Sequence, residues 1–233
     1  PVYPEAVRAC LPQVLAEPGL DDDALDRTGQ AFVTIDNEDS RDLDQALFIE
    51  RNDEGGFVVS YALADASYYV VPGSPLFEES LQRGTSYYLP GLCVPMLPPE
   101  LSEGLISLNP NVDRRALIFV MHLDASAAPL KTDLIRARIR SRAKLSYNGV
   151  QRYHDGPAGH ALAGQDFTES LDLLKVVGDL RIKAAQERDV VFEGARVVFG
   201  MLHVLSNTHF KSVAVVVEAA TPTNFADRAA VRR

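Results

Sequence analysis

The stretch FVTIDNEDSRDLDQAL, residues 32–47, carries the signal from which both the fold and the chemistry are predicted. An apolar run that ends at Asp36 is typical of a short strand, and a second apolar run follows from Ala46. Asp42 and Asp44 are two residues apart, so in extended backbone they point to the same side, and Asp36 can fold beside them across a loop. Because converging carboxylates repel one another unless a cation lies between them, the stretch is a candidate cation site.

The type of cation follows from the ligand atoms. Oxygen ligands favour Mg²⁺, Mn²⁺ or Ca²⁺ over zinc, and the stretch contains no His or Cys. An EF-hand loop that starts at Asp36 would need glycine at its sixth position and glutamate at its twelfth, where the chain has Arg41 and Leu47. A phosphatase-type D-x-D nucleophile would follow an apolar strand directly, whereas polar residues precede Asp42. The alternative without a ligand is an acidic, solvated turn, which composition alone favours.

The residues on either side predict a mixed α+β fold, with a mostly antiparallel sheet surrounded by helices. Short β-rich runs separated by turn residues occupy positions 31 to 70, and ALIFVMHLD (116–124) predicts a buried strand in which His122 is a core residue. Basic residues alternate through KTDLIRARIRSRAK (131–144) and share one face if a single strand continues, which is more typical of a solvated strand face than of a phosphate-binding track. These residues are Arg136, Arg138, Arg140, Arg142 and Lys144.

Helices are predicted at four places. Residues 4–17 have helical spacing, with a kink or an early end at Pro12. Ser74-Pro75 and Gly84 bracket a short helix, and Ser146 caps another. An amphipathic helix follows, with an apolar stripe at Leu173, Val176, Val177, Leu180 and Ala184. The proline-rich segment 88–104 predicts an ordered loop, and residues 195–220 predict two strands or a strand and a helix.

Composition limits the functional class. The chain has 233 residues, 46% of them hydrophobic, and a net charge of −9, which excludes a fibrous or largely disordered protein and argues against a broadly basic nucleic-acid binder. It has two cysteines, no apolar run of membrane-spanning length and no signal peptide, so we expect a cytoplasmic protein without membrane contact. The chain begins with Pro, which predicts a fragment or a processed form. We expect a helical lead-in at 1–30 and one domain from 31 to 233.

Five blocks of sequence, in this order and spacing, resemble the N-terminal half of the catalytic domain of the ribonuclease II / ribonuclease R (RNB) family. They are TIDNEDSRDLDQAL (34–47), YALADASYYVVPGSPLFEES (61–80), RGTSYYLPG (83–91), VPMLPPELSEGLISLNPNVDR (94–114) and RARIRSRAKLSYNGV (136–150). The similarity is clear from about residue 30 to 150 and weaker to about 215. It implies an Mg²⁺-dependent exoribonuclease, with Mn²⁺ as the alternative ion. Such an enzyme hydrolyses single-stranded RNA from its 3′ end to nucleoside 5′-monophosphates.

The resemblance also implies site residues. Of the four family aspartates this chain matches three, Asp36, Asp42 and Asp44, as metal ligands, and the fourth position holds Gln45, whose amide offers an oxygen but no charge. Asp42 and Asp44 are the catalytic candidates, and Asp44 is expected to be the most sensitive to substitution. Tyr88 matches the position whose ring stacks on a base near the 3′ end; the alternative is a packed core tyrosine. Apart from the resemblance, Arg114 is a candidate basic contact to RNA phosphate, and the alternative is a solvated surface arginine.

Two departures from the family pattern keep other functions open: Gln45 at the fourth aspartate position, and the sequence after Phe210. The second half of the family domain carries arginines that contact the scissile phosphate, whereas Thr208-His209-Phe210 is followed here by Lys-Ser-Val. The first alternative is a catalytically impaired RNA-binding relative, and the second is a generic metal-dependent phosphoesterase. We expect a monomer, and we expect Asp65 to be a structural hydrogen-bonding residue instead of a ligand.

Overall fold

A seven-stranded sheet forms the centre of the described part of this computed structural model, which comprises residues 2–17, 19 and 24–187. The strands are β1 (Leu25–Asp26), β2 (Val33–Asp36), β3 (Gln45–Arg51), β4 (Phe57–Ala64), β7 (Asp113–Leu123), β8 (Pro129–Arg140) and β9 (Ala143–Ser146). They lie in the order β1-β8-β7-β4-β3-β2-β9. The β1–β8 and β2–β9 pairs are parallel and the other pairs are antiparallel, which confirms the predicted α+β class.

Helices and one small hairpin surround this sheet. The helices are α1 (Glu5–Leu15), α2 (Ala66–Tyr69), α3 (Pro75–Arg83), α4 (Tyr147–Asp155) and α5 (Thr168–Gln186), with a π-helical turn at Glu100–Leu105. The hairpin pairs β5 (Tyr87–Leu89) with β6 (Leu92–Val94). In the described ranges, every helix is too short or too polar to cross a membrane.

The helices predicted within residues 4–17 and between Ser74 and Gly84 are both present, but the predicted end of the first one is corrected. The Ser74 Oγ accepts a hydrogen bond from the Phe77 N–H at 3.2 Å, so Ser74 caps α3 as expected. The early end predicted at Pro12 is wrong, because α1 continues to Leu15. Proline removes one backbone donor near the C-terminal end of the helix, and the burial of Val7 against the fold holds α1 in place.

The long helix α5 packs against the middle of the sheet. The Ile49 backbone N–H of β3 donates to the Ser170 Oγ at 2.9 Å, and Leu171 and Leu174 are fully buried there. Leu173 and Val177 are buried as predicted, whereas Val176 is 38% exposed. The apolar stripe therefore lies slightly to one side of the predicted one. Residues at the periphery of a helical stripe are the ones whose burial depends on the partner surface.

The basic stretch 131–144 forms two strands, and the prediction of one continuous strand is wrong. Strand β8 ends at Arg140, and β9 begins at Ala143 beside β2. The break is fixed by the backbone, since the Arg142 N–H donates to the Phe32 carbonyl at 2.7 Å. The chain thereby crosses from one side of the sheet to the other, and residues that follow Ser146 arrive beside the end of β2.

The structure corrects two further sequence expectations, for His122 and for residues 1–30. His122 is not a core residue, because it lies on the face of β7 shared with Ser60 and Asp133, and its side chain is 39% exposed. The lead-in predicted at 1–30 also contributes β1 to the sheet. The predictions for 195–220, including Thr208-His209-Phe210, lie outside the described residues.

Candidate active site

The acidic residues lie at one end of the β2–β3 hairpin. Asp36 is the last residue of β2, and Gln45 is the first residue of β3, directly after Asp44. The two strands are antiparallel, with Val33 opposite Leu47, so continuing this register places Asp36 opposite Asp44. The hairpin therefore brings together residues that the sequence separates by a seven-residue loop.

Backbone contacts fix the loop that connects the two strands. Leu43 is buried, and its N–H donates to the Ser107 Oγ at 2.9 Å, while its carbonyl accepts from the Leu108 N–H at 2.8 Å. The Asp44 carbonyl accepts from the Ala64 N–H at 2.8 Å. Because Leu43 points into the core, its neighbours on both sides turn their carboxylates the other way. Asp42 and Asp44 thus share one side, as the two-residue spacing predicts.

The three carboxylates influence one another electrostatically. The pKa of Asp44 is raised to about 7, first because protein surrounds the carboxylate and reduces its solvation, and then because of the charges on Asp42 and Asp36. The side chain itself is open to solvent. Protein atoms therefore lie around the carboxylate, although water still reaches it. A cation at this place would favour the ionised form.

The ionised form of Asp36 is stabilised more than the ionised form of Asp44. Desolvation and the Asp42 charge raise its pKa, whereas hydrogen bonds from the Asn37 N–H at 2.6 Å and from the Ser40 side chain, with the charge of Lys144, lower it. Lys144 itself donates to the carbonyls of Glu38, at 2.9 Å, and Ser40. It therefore ties the acidic loop to β9 while it supplies positive potential near Asp36.

Tyr88 lies beside this cluster. Its hydroxyl donates to the Asp42 Oδ2 at 2.6 Å, and its side chain is 58% exposed. The alternative that Tyr88 is a packed core tyrosine is wrong, because this residue of the β5–β6 hairpin is exposed to solvent. The pKa of the hydroxyl is raised by desolvation and by its hydrogen bond to the Asp42 carboxylate. An accessible ring therefore stands next to the acidic residues.

Two tyrosines that sequence reasoning missed complete the surroundings. The buried Tyr61 of β4 donates its hydroxyl to the Gln45 Oε1. The pKa of Tyr147 is raised to about 12 by desolvation and by the nearby Asp36 charge. The signal for Tyr147 is the parallel pairing of Asp36 with Ser146, which places the next residue beside the cluster. That pairing joins positions far apart in the chain and is not visible in either segment alone.

The donor set agrees in kind with a hard divalent cation. Three carboxylates and one amide supply oxygen atoms only, which is the set that Mg²⁺ or Mn²⁺ prefers. Among the residues that the structure describes, however, no three His, Cys, Asp or Glu side chains form a ready-made cage for a metal ion. Binding would therefore require these side chains to move toward the ion.

Arg114 is placed differently from the other candidates. Its guanidinium donates to the carbonyls of Ser107 at 3.1 Å, Gly104 at 3.2 Å and Asp113 at 3.1 Å. These contacts fasten the π-helical turn and the segment behind it to β7. They give Arg114 a structural role, and its contact with RNA stays a prediction.

The basic side chains between residues 136 and 144 form ion pairs or hydrogen bonds within the protein. Arg136 pairs with Asp65, Arg138 and Arg140 pair with Asp113, and Arg142 pairs with Asp166. Lys144 donates hydrogen bonds to two carbonyls of the acidic loop. These contacts favour the interpretation of the row as a structural face of the sheet.

Comparison with known proteins agrees with this architecture. The RNB domain family model matches residues 25–218. The chain is 38% identical over 181 residues to Exoribonuclease 2 of Serratia proteamaculans, covering 77% of the chain and 28% of that protein. It is 37% identical over 169 residues to Ribonuclease R of Escherichia coli, covering 72% of the chain and 21% of that protein. The chain thus spans less than a third of either relative.

Solved structures show the same fold. Mycoplasma genitalium RNase R in complex with double-stranded RNA matches with a TM-score of 0.74 and 28% identity, over 85% of this chain and 39% of that one. Yeast Ssd1, described as a pseudonuclease, matches with a TM-score of 0.62 over 79% of this chain and 24% of that one. At 14% identity, the second match supports the fold alone.

Proposed function

Because the chain belongs to the RNB domain family, we propose that it supplies the acidic centre of a cation-dependent 3′-to-5′ exoribonuclease acting on single-stranded RNA. The observation that carries the proposal is the convergence of Asp36, Asp42 and Asp44 beside the accessible ring of Tyr88. The products would be nucleoside 5′-monophosphates, formed when water attacks phosphorus and the bond from phosphorus to the 3′ oxygen breaks.

The carboxylates would hold Mg²⁺, or Mn²⁺, through their oxygen atoms. The bound ion supplies activation of the attacking water and stabilisation of charge on the leaving oxygen. The raised pKa of Asp44 means that its ionised form is disfavoured in the free protein, so a nearby cation would stabilise it. Gln45 would contribute an amide oxygen without charge, in place of a fourth carboxylate.

Tyr88 would hold the nucleotide next to the ion. Its ring is accessible, and stacking on an aromatic ring is worth about 1–3 kcal/mol per base without selecting a sequence. A base stacked on this ring would lie close to Asp42, since the Tyr88 hydroxyl touches that carboxylate. The adjoining phosphate would then reach the acidic cluster.

The test is a cleavage assay with labelled single-stranded RNA, in Mg²⁺ and in EDTA. We expect mononucleotide release that needs Mg²⁺. The Asp44→Asn variant should bind RNA and lose cleavage by about a thousandfold or more, since several kcal/mol of cation-assisted stabilisation are removed. Asp39→Asn is the matched control, because Asp39 is an exposed acid of the same loop. Cleavage retained by Asp44→Asn would contradict the proposal.

Gln45 favours a second candidate, a catalytically impaired relative that binds RNA. Its Oε1 already accepts the hydroxyl of Tyr61, and it brings no charge to a second cation. If the protein binds RNA but releases no mononucleotides, Gln45→Asp should restore cleavage, whereas the neutral Gln45→Asn should not. Phosphate release from small monoesters, with RNA left intact, would instead indicate a general phosphoesterase.

A further inference from the structure

The hydroxyl of Tyr88 forms a contact for which base stacking gives no reason. Stacking needs the face of the ring alone, yet the hydroxyl donates a 2.6 Å hydrogen bond to the Asp42 Oδ2. At this length the bond is charge-assisted, which makes it stronger than a neutral one and directional. The contact joins two separate sheets, since Tyr88 belongs to the small hairpin and Asp42 to the loop between β2 and β3.

The position of the hairpin makes the contact specific. The Met96 N–H donates to the Ser86 Oγ at 2.9 Å and closes the base of the hairpin. Arg83 of α3 donates to the Pro95 carbonyl at 3.2 Å and so connects this base to α3. Tyr88 lies opposite Cys93, and the pKa of the Cys93 thiol is raised by desolvation and then by the charge of Asp42. Cys93, on the same face of the hairpin as Tyr88, therefore also lies near Asp42.

Tyr87 shows the opposite arrangement on the same strand. As the neighbour of Tyr88 it points to the other side of the hairpin, and its side chain is 52% exposed. Its hydroxyl makes a long contact of 3.5 Å with the Arg83 carbonyl. The two adjacent tyrosines thus differ in whether the hydroxyl reaches the acidic cluster.

We propose that Tyr88 is a positioning residue for the cation, in addition to any contact with a base: its hydroxyl orients Asp42 so that the other carboxylate oxygen faces Asp36 and Asp44. This inference rests on the proposed function, because it presumes a cation at the cluster. Hydrogen bonds to a ligating carboxylate fix its rotamer, and their removal costs about 10–100-fold in metal affinity or activity.

The experiment separates the hydroxyl from the ring. Mn²⁺ binding to the metal-free protein is measured by titration calorimetry and by electron paramagnetic resonance, for the wild type, Tyr88→Phe, Tyr88→Ala and the matched control Tyr87→Phe. We expect the dissociation constant to rise about tenfold in Tyr88→Phe and to stay unchanged in Tyr87→Phe. With RNA and saturating Mn²⁺, Tyr88→Phe should keep the wild-type KM, whereas Tyr88→Ala should raise it because the ring is lost.

The outcomes distinguish this inference from the proposed function. If the wild type binds no Mn²⁺ and cleaves no RNA, the proposed function fails and the inference fails with it. If the wild type binds and cleaves, and Tyr88→Phe binds Mn²⁺ as tightly or more tightly, the positioning role alone is overturned.

Discussion

The molecule contains two acidic centres with opposite surroundings. Asp65, between β4 and α2, is buried, and its Oδ2 lies 3.3 Å from the Arg136 Nε and 3.5 Å from the Arg115 Nε. Its Oδ1 accepts the Ser67 hydroxyl at 2.7 Å. Asp44 instead has the carboxylates of Asp42 and Asp36 as its charged neighbours, and its pKa is raised by desolvation and then by these two charges.

The difference separates structural acids from candidate ligands. Asp65 finds its countercharge within the fold, so it stabilises the fold as a closed unit. The cluster at the end of β2 combines like charges on an open surface, which disfavours the free protein and favours any state in which a cation is present. Density of acidic residues in the sequence does not distinguish the two cases, whereas the sign of the neighbouring charges does.

The largest effect on stability is expected when the buried carboxylate of Asp65 is removed. Asp65→Ala leaves two arginines, one of them buried, without their carboxylate, and removal of one partner from a buried pair costs about 3–5 kcal/mol. The free energy of unfolding, measured by urea titration, should fall by this amount. Glu54→Gln, at an exposed turn, is the control and should change stability by less than about 0.5 kcal/mol. Equal effects of the two substitutions would refute the assignment of Asp65 as a structural acid.

A smaller effect, on cation affinity, is expected when a lower pH protonates Asp44. The pKa of Asp44 is about 7, so below this pH a proton competes with the cation for the carboxylate. Mn²⁺ affinity should fall about tenfold per pH unit below 7, and so by up to about a hundredfold between pH 7 and pH 5. Calorimetric titrations at several pH values test this. In Asp44→Asn the slope should be shallower, and an equally steep slope would assign the proton to another group.

The sequence was sufficient for the elements whose signals are local. The short β-rich runs of β3 and β4 and the cap at Ser74 predict strands and a helix, because each signal depends on residues close in the chain. The break between β8 and β9 was missed, because it is imposed by the Phe32 carbonyl, more than a hundred positions earlier in the chain. The exposure of His122 was missed for a similar reason, since an apolar run does not reveal which face of its strand is covered.

The acidic site was predictable in part. The two-residue spacing of Asp42 and Asp44 places them on one side, and the buried Leu43 between them agrees with that geometry. The contacts of Tyr61 and Tyr147 depend on pairing between distant strands, which the sequence does not state. The resemblance located Tyr88 but not the role of its hydroxyl, because a motif identifies a position and not the atoms that it touches.

The smallest effect concerns the stability of the cation-free protein. The pKa of Asp44 is raised in the folded protein to about 7, against an ordinary value of 3.8. The unfolded chain therefore releases this proton first as pH rises, and the folded state loses stability between about pH 4 and pH 7. Above pH 7 the loss is complete. Asp44→Asn, which cannot ionise, avoids it.

At pH 8 in EDTA, Asp44→Asn should therefore be more stable than the wild type. Because the side chain is open to solvent, screening limits the expected gain to about 1 kcal/mol or less. Thermal unfolding at pH 8 and at pH 4.5 measures it, and the gain should shrink at the lower pH. Saturating Mn²⁺ should reverse the order, because the cation binds the folded wild type more tightly than the variant. A variant less stable than the wild type in EDTA at pH 8 would mean that Asp44, like Asp65, is a structural acid, and the contrast between the two centres would be lost.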